Sequence, residues 1–407
     1  MSTSFPVDRI EVLLLENVHA TAHEIIGAEG FRIEAVSSAL GEDELAEKLR
    51  SVHVLGIRSK TRVTERALEE AKRLLTIGCF CIGTNQVDLA AANRRGIPVF
   101  NAPFSNTRSV AELIVAEIIA LARQLGDRSR EMHEGRWRKA AAGAFEVRGK
   151  TLGIVGYGHI GSQVGVLAES LGMRVLYYDT TAKLPMGNNT PVASLTELLG
   201  AADFVTLHVP DTQQTRGMMG APELAKMRQG SYLLNASRGS VVVLPALAEA
   251  VKGGHLAGAA VDVYPEEPES NTDSFATPLR GLRNVLLTPH VAGSTSEAQA
   301  AIGREVGARL VKFVNAGATT GAVNFPQLEL QPVKGTHRIL NAHRNVPGVL
   351  RDINRIVSEL GANIHSQILS TDPEVGYLIM DLDQDVSREV KNSVAGLPTS
   401  IKTRILY

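Results

Sequence analysis

The stretch T-L-G-I-V-G-Y-G-H-I-G, residues 151–161, constrains this chain more than any other. A short apolar run passes into G-x-G-x-x-G, and I-G-S-Q-V-G-V-L-A-E-S-L continues with helical spacing. A glycine turn over a pyrophosphate requires that strand–turn–helix order. Gly156 permits the tight turn, Gly158 lets backbone approach the phosphates, and Gly161 lets helix and strand pack closely, with His159 and Ile160 between them. The helix N-terminus adds unpaired N–H groups and partial positive charge. The next strand, R-V-L-Y-Y-D, ends in Asp179, eighteen residues beyond Gly161. A carboxylate there accepts hydrogen bonds from a ribose diol and repels a 2′-phosphate, and no arginine follows. NAD rather than NADP is therefore expected. A structural turn with surplus glycines is the alternative, and it leaves the acid unexplained.

Strand–helix alternation fills most of the chain, which points to parallel α/β architecture. E-V-L-L-L-E (11–16), V-H-V-L-G-I (52–57), R-L-L-T-I-G (73–78) and I-P-V-F-N (97–101) are predicted strands. Residues 64–72 and 88–95 carry helical spacing, with Gly96 as a C-terminal cap. The run 109–125 is apolar nearly all round and predicts a helix packed between domains or subunits. A chain of 407 residues exceeds one ordinary core. The expected division is a substrate domain at 1–105, a doubly wound cofactor domain at 106–293, and a return to the substrate domain at 294–315. A linker follows at 316–335, with at most one strand. Residues 336–407 read as strand–helix–strand–strand–helix–strand, a ferredoxin-like module. The expected fold class is two Rossmann-like α/β domains plus that βαββαβ module.

Net charge is -1, so no global field attracts nucleic acid or an acidic membrane, and anionic ligands must be held by local cations. No apolar stretch approaches the ~20 residues that span a bilayer, and M-S-T-S-F-P-V-D-R-I lacks the regions of a signal peptide. Cys79 and Cys81 are one residue apart, which fits neither a redox pair nor a zinc set. Buried thiols in a reducing cytoplasm are expected, and no metal.

Three residues follow strands of the second series: Arg238 in N-A-S-R-G, Glu267 in D-V-Y-P-E-E-P, and His290 in L-L-T-P-H-V-A-G-S-T. Open parallel sheets bind ligands beyond the carboxyl ends of their strands, so all three can converge. Singly, Arg238 can be a surface cation, Glu267 a solvated acid beside Glu266 and Glu269, and His290 a satisfied core histidine. As a set they supply a clamp, a tuning carboxylate and a proton carrier that titrates near neutrality. Asp262, in the stretch A-G-A-A-V-D-V, joins the loop glycines and Asp179 as an expected cofactor-binding residue.

These ordered motifs resemble the D-2-hydroxyacid dehydrogenase family over nearly the whole chain. I-R-S-K-T and G-C-F-C-I-G-T-N-Q-V-D-L narrow the likeness to the branch that oxidises 3-phospho-D-glycerate with NAD. The resemblance implies that Arg238, Glu267 and His290 are catalytic. It also implies that Arg58, Ser59 and Lys60 meet the substrate, with Asn106 and Gln299 nearby and Lys139 reaching from a neighbouring subunit. 2-Oxoglutarate is an implied side substrate and a homotetramer the implied assembly. Other 2-hydroxyacid dehydrogenases and dinucleotide-sensing corepressors share the motifs and stand as alternatives.

The last segment resembles an ACT module. In serine-regulated relatives an effector lies between two such modules, which here implicates His343, Asn345 and Asn363. A purely adhesive module is the alternative.

Overall fold

The computed structural model describes residues 6–268 and 273–407, so Glu269 and the first five residues lie outside the described part. The chain divides into two compact units, residues 1–105 with 299–407, and residues 106–298.

In the first unit β1 (Glu11–Leu15), β2 (Arg32–Val36), β3 (Val54–Ile57), β4 (Thr76–Cys79) and β5 (Val99–Phe100) form a parallel sheet in the order β2-β1-β3-β4-β5. Helices α1 (Ala20–Ala28), α2 (Glu42–Leu49), α3 (Glu65–Glu69) and α4 (Leu89–Arg94) connect successive strands. Thr64 and Asp88 cap α3 and α4 through their side-chain oxygens, and Gly96 closes α4 at φ +66°. Strand β2 was not predicted. As the exposed edge strand, R-I-E-A-V lacks the apolar run that betrays its neighbours. Cys79 is buried, but Cys81 is only half-buried because its Sγ turns to the carbonyls of Gly83 and Arg58.

The second unit opens with α5 (Thr107–Arg123) and α6 (Leu125–His133), separated by Gln124 in the left-handed region. One face of α5 is buried, through Val110, Ile114, Ile118 and Leu121, rather than the whole circumference. The sheet that follows comprises β6 (Thr151–Val155), β7 (Arg174–Tyr178), β8 (Thr190–Pro191), β9 (Phe204–Leu207), β10 (Ser231–Asn235), β11 (Leu256–Val261) and β12 (Val285–Leu287). Its order is β12-β11-β10-β9-β6-β7-β8, parallel throughout. Helices α7 (His159–Ser170), α8 (Leu195–Ala201), α9 (Ala221–Lys226) and α10 (Leu244–Lys252) form the crossovers. The order reverses between β6 and β9, where a doubly wound sheet opens its ligand crevice.

Helix α11 (Ser296–Ala316) returns the chain to the first sheet. A Cβ on Gly78 would lie 2.7 Å from Val306 and 2.8 Å from Leu310, so glycine in β4 is what lets α11 sit this close. Alternation along β1 then serves two cores. Val12 and Leu14 join Val306, Leu310 and Phe313 on one face, while Leu13 and Leu15 join Leu45, Leu49 and Leu68 on the other. Each such fully buried side chain contributes roughly 1.5–3 kcal/mol. No helix among the described residues is long and apolar enough to cross a membrane.

Residues 317–336 carry one β-bridge, Phe100–Ala322, rather than a strand. The module beyond is β13 (His337–Arg344), α12 (Val349–Glu359), β14 (Ile364–Thr371), β15 (Val375–Leu382), α13 (Ser387–Ala395) and β16 (Ser400–Leu406), an antiparallel sheet ordered β14-β15-β13-β16. Buried Val349, Ile353, Ile356 and Val357 give α12 its apolar face. Leu340, Ala342, Tyr377 and Ile379 join the same cluster as Val12 and Phe313, so the module's sheet extends the first unit's core.

One ion pair fastens this junction. Arg338 and Asp381 face each other across β13 and β15, bonded twice at 2.7 and 2.8 Å with side chains 5% and 1% exposed. Arg338 also donates to the carbonyls of Ala316 and Leu330. Asp381→Ala strands a buried guanidinium and should cost about 3–5 kcal/mol, read as a fall in the urea midpoint of the intact protein.

Candidate active site

The glycine loop follows β6 as the sequence predicts. Gly156 has φ +91°, and a Cβ there would meet the His208 carbonyl oxygen at 2.4 Å; one on Gly161 would meet the Gly156 oxygen at 2.2 Å. Around Gly158, by contrast, an added Cβ would meet nothing within 4 Å, so this face is open to an incoming ligand. His159 is exposed and Ile160 half-buried at the helix start. Asp179 accepts from Tyr157 N at 2.9 Å and from the amide and hydroxyl of Thr181 at 3.0 and 3.1 Å. Burial would raise its pKa, but these bonds hold it below the ordinary value, so a carboxylate faces the loop. Two glycines that tolerate no side chain, one open position and an ionised acid fit a dinucleotide.

Sequence reasoning missed His208, at the end of β9. Burial pushes its pKa down to about 3, and its Nδ1 has no partner among the described residues, so the ring beside the loop stays neutral.

Arg238 follows β10. Asn235, 1% exposed, shapes the turn: its Oδ1 accepts from Ser237 N and Oγ, and its Nδ2 donates to the Arg238 carbonyl. A Cβ on Gly239 would lie 1.9 Å from the Tyr264 carbonyl carbon, so this turn presses against the segment leading to Glu267. The guanidinium is exposed and has no carboxylate partner among the described residues.

Glu267 accepts from Tyr264 N at 3.1 Å, and its oxygens lie 2.8 and 3.0 Å from His290 Nδ1. The hydrogen bond that His290 donates to Glu267 raises the His290 pKa above its ordinary value. Burial would raise that of Glu267, but bonds from His290 and Tyr264 N bring it down. The pair thus favours imidazolium–carboxylate. With Nδ1 committed and the His290 side chain 53% exposed, Nε2 is left to face a substrate.

His290 sits at φ +54°, a strained setting for a residue with a Cβ. Asp262 holds it there. Its Oδ1 accepts from Thr288 Oγ1 and Val291 N, its Oδ2 from Ala292 N, and its carbonyl from His290 N. At 1% exposure, its carboxylate serves this loop rather than open space. Asp262 is therefore first an anchor of the 288–292 loop. Asn106 packs on the same segment, since a Cβ on Gly293 would lie 2.2 Å from its Nδ2.

Arg238, Glu267, His290, Asp262, Asn106 and the glycine loop thus belong to the second unit. Lys139 lies there too, on an exposed segment, and no hydrogen bond or ion pair among the described residues ties it to the triad. Arg58, Ser59, Lys60 and Gln299 belong to the first unit. The 58–61 loop there has an organiser that sequence reasoning missed. Glu16, 7% exposed at φ +65°, accepts from Lys60 N at 2.9 Å and Thr61 N at 2.8 Å. It occupies those two amides, and Arg58 Nη1 donates to the Glu16 carbonyl at 3.4 Å, so Glu16 organises the loop through side chain and main chain.

The three predicted effector residues do not meet within one module. His343 is 3% exposed and bonded to Asn341. Asn345 pairs with the Asp372 and Glu374 carbonyls at one end of β15, whereas the Asn363 amide pairs with Asp383 at the other. Eight residues of strand separate these ends, about 25 Å at 3.2–3.4 Å per residue. One amino acid can touch both asparagines only if two modules share it.

Comparison with known proteins agrees with this geometry. The family described as D-isomer specific 2-hydroxyacid dehydrogenase, NAD binding domain, matches residues 115–292, and an AHAS small subunit-like ACT domain matches residues 339–402. The chain is 58% identical to a D-3-phosphoglycerate dehydrogenase of Dictyostelium discoideum over 100% of this chain and 99% of that one. It is 51% identical to that of Escherichia coli K12, over 99% of each. Among solved structures, D-lactate dehydrogenase from Aquifex aeolicus with NAD and lactic acid aligns with a TM-score of 0.64 at 28% identity, covering 74% of this chain and 95% of that one.

If Glu267 sets the charge of His290, its effect is directly measurable. Histidine-selective NMR should find the His290 imidazole titrating above 6.5, and Glu267→Gln should lower that value.

Proposed function

The chain belongs to the D-3-phosphoglycerate dehydrogenases of the D-isomer specific 2-hydroxyacid dehydrogenase family, and from that membership we propose how its residues divide the work. The enzyme oxidises 3-phospho-D-glycerate to 3-phosphohydroxypyruvate, the first step of phosphorylated L-serine biosynthesis. NAD, carried by the Gly156–Gly161 loop and Asp179, supplies the hydride acceptor. His290 takes the hydroxyl proton on Nε2. Glu267 orients the ring through Nδ1 and stabilises the imidazolium that forms. Arg238, with no carboxylate partner among the described residues, pairs with the substrate carboxylate and polarises the reacting oxygen. The phosphate is met by Arg58, Ser59 and Lys60 on the loop that Glu16 holds, and Lys139 of a neighbouring subunit adds a cation. 2-Oxoglutarate, a 2-oxo acid, is reduced in the opposite direction.

The observation that carries this reading is the Glu267–His290 pair at 2.8 Å, with Nε2 left over beyond the carboxyl ends of the strands. Near-full-length identity to named dehydrogenases sets aside the corepressor reading and the other hydroxyacid substrates.

The ACT module is an L-serine sensor in this reading. The effector bridges His343 and Asn345 of one module and Asn363 of another, within a homotetramer joined through cofactor domains and ACT modules. The separation of Asn345 from Asn363 within one chain supports the bridge.

Three measurements test the scheme. His290→Asn should bind NADH nearly as before while turnover falls about 10²–10⁴-fold, the usual worth of a positioned acid–base group; surviving turnover would return His290 to a structural role. Oxidation needs neutral His290, so the wild-type rate rises with pH through a pKa above 6.5. Glu267→Gln lowers that pKa, so the acid limb should move to lower pH even as the rate drops. Asn345→Ala and Asn363→Ala should each abolish inhibition by L-serine.

A further inference from the structure

A groove of about 1030 Å³ runs through the first unit at the amino ends of its parallel strands. The residues leading into β1, β3 and β4 form one wall, and strand β16 forms the other. Its position is opposite to that of the 58–61 loop, which follows the carboxyl end of β3. Strand β16 pairs with β13 alone, so its outer edge turns to the groove.

The charge in this groove is lopsided. Six lysines and arginines line it against two glutamates. Both glutamates are already engaged, Glu11 with Arg32 at 3.5 Å and Glu34 with Lys48. Lys402 and Arg404, two residues apart on β16, are half-buried and have no carboxylate partner among the described residues. Lys402 Nζ donates to the Leu74 carbonyl at 2.5 Å, and Arg404 Nη2 to the Val314 carbonyl at 2.8 Å. Arg404 Nη1 is buried without any acceptor among the described residues, and its guanidinium lies 5.5 Å from the Phe313 ring centre. Carbonyl dipoles and one aromatic face are weak compensation for half-buried basic groups. The strain shows in the protonation: burial and then Arg404 push Lys402 down to about 7, and burial, Arg73 and Arg404 lower His53. Arg73 stands exposed on the opposite wall, so a ligand would be gripped from both sides.

We propose that this groove binds a small multivalent oxyanion of the phosphate or phosphate-monoester class, held by Lys402 and Arg404 on β16 and by Arg73 across from them. A dianion supplies the counter-charge that the fold omits. It also ties the edge strand of the ACT module to the first sheet.

The test uses the full-length enzyme and isothermal titration with inorganic phosphate, with chloride replaced at constant ionic strength so that screening stays fixed. Arg58→Ala removes a principal cation of the proposed substrate loop. In that background phosphate should still bind saturably and raise the melting temperature. Adding Arg73→Ala should weaken binding at least tenfold, and adding Lys402→Met should abolish it. Arg73 is exposed and its loss leaves the fold intact, so the outcome does not hang on the half-buried lysine. A repeat titration with glycerol 3-phosphate separates the sources: tighter binding than inorganic phosphate identifies a phosphorylated metabolite, equal or weaker binding free phosphate. The proposal is overturned if phosphate binding disappears in Arg58→Ala alone, or if it survives unchanged when Arg73 is removed.

Discussion

The carboxylate of Asp262 is the interaction on which the second unit's chemistry rests. It is 1% exposed, yet it is ringed by three donors from residues 288–292. Those bonds, with the Asp262 carbonyl on His290 N, fix a loop whose key residue sits at φ +54°. A left-handed residue with a Cβ costs of order 1–3 kcal/mol and persists only where its surroundings over-determine it. Here they do, and the result is an imidazole whose Nδ1 meets Glu267.

A second buried acid lies close to Asp262. Glu117 of α5 is 4% exposed, and its Oε1 has no partner. Burial first, and the nearby Asp262 charge second, push its pKa up to about 8. With no donor among the described residues to stabilise its charged form, Glu117 keeps its proton near neutral pH. The helix packed behind the active loop therefore presents a neutral acid to it.

What was legible in the sequence is what local chemistry writes into a short window. The glycine loop, Asp179 and the three catalytic candidates each sit in a motif of a few residues, and the structure puts the triad candidates at the ends of neighbouring strands. The ferredoxin-like order was readable because every strand of that module carries an apolar face. Strand β2 was not, because its residues are exposed or only half-buried and R-I-E-A-V carries no apolar run. Glu16 was invisible for another reason. Its partners, Lys60 and Thr61, are more than forty residues away and contribute backbone amides, which leave no trace in residue type. The anchoring by Asp262 was hidden likewise, since Val291 and Ala292 offer only main chain.

The near-zero net charge sharpens what each exposed cation means. With 42 basic and 43 acidic side chains, most arginines can find a carboxylate, and many do on exposed helix faces at little benefit. Arg338 shows the buried extreme, doubly bonded and fully compensated. Against that background Arg238 and the Lys402–Arg404 pair stand out, because each faces open space or carbonyl oxygens rather than a carboxylate. In a protein without a global field, a cation left unpaired in a concave place is the local device that can hold an anion. The same criterion that assigns Arg238 to a substrate carboxylate applies to the groove beside β16. The two cases differ only in that the first has an acid–base pair beside it and the second does not, which makes the first a site of reaction and the second a site of binding.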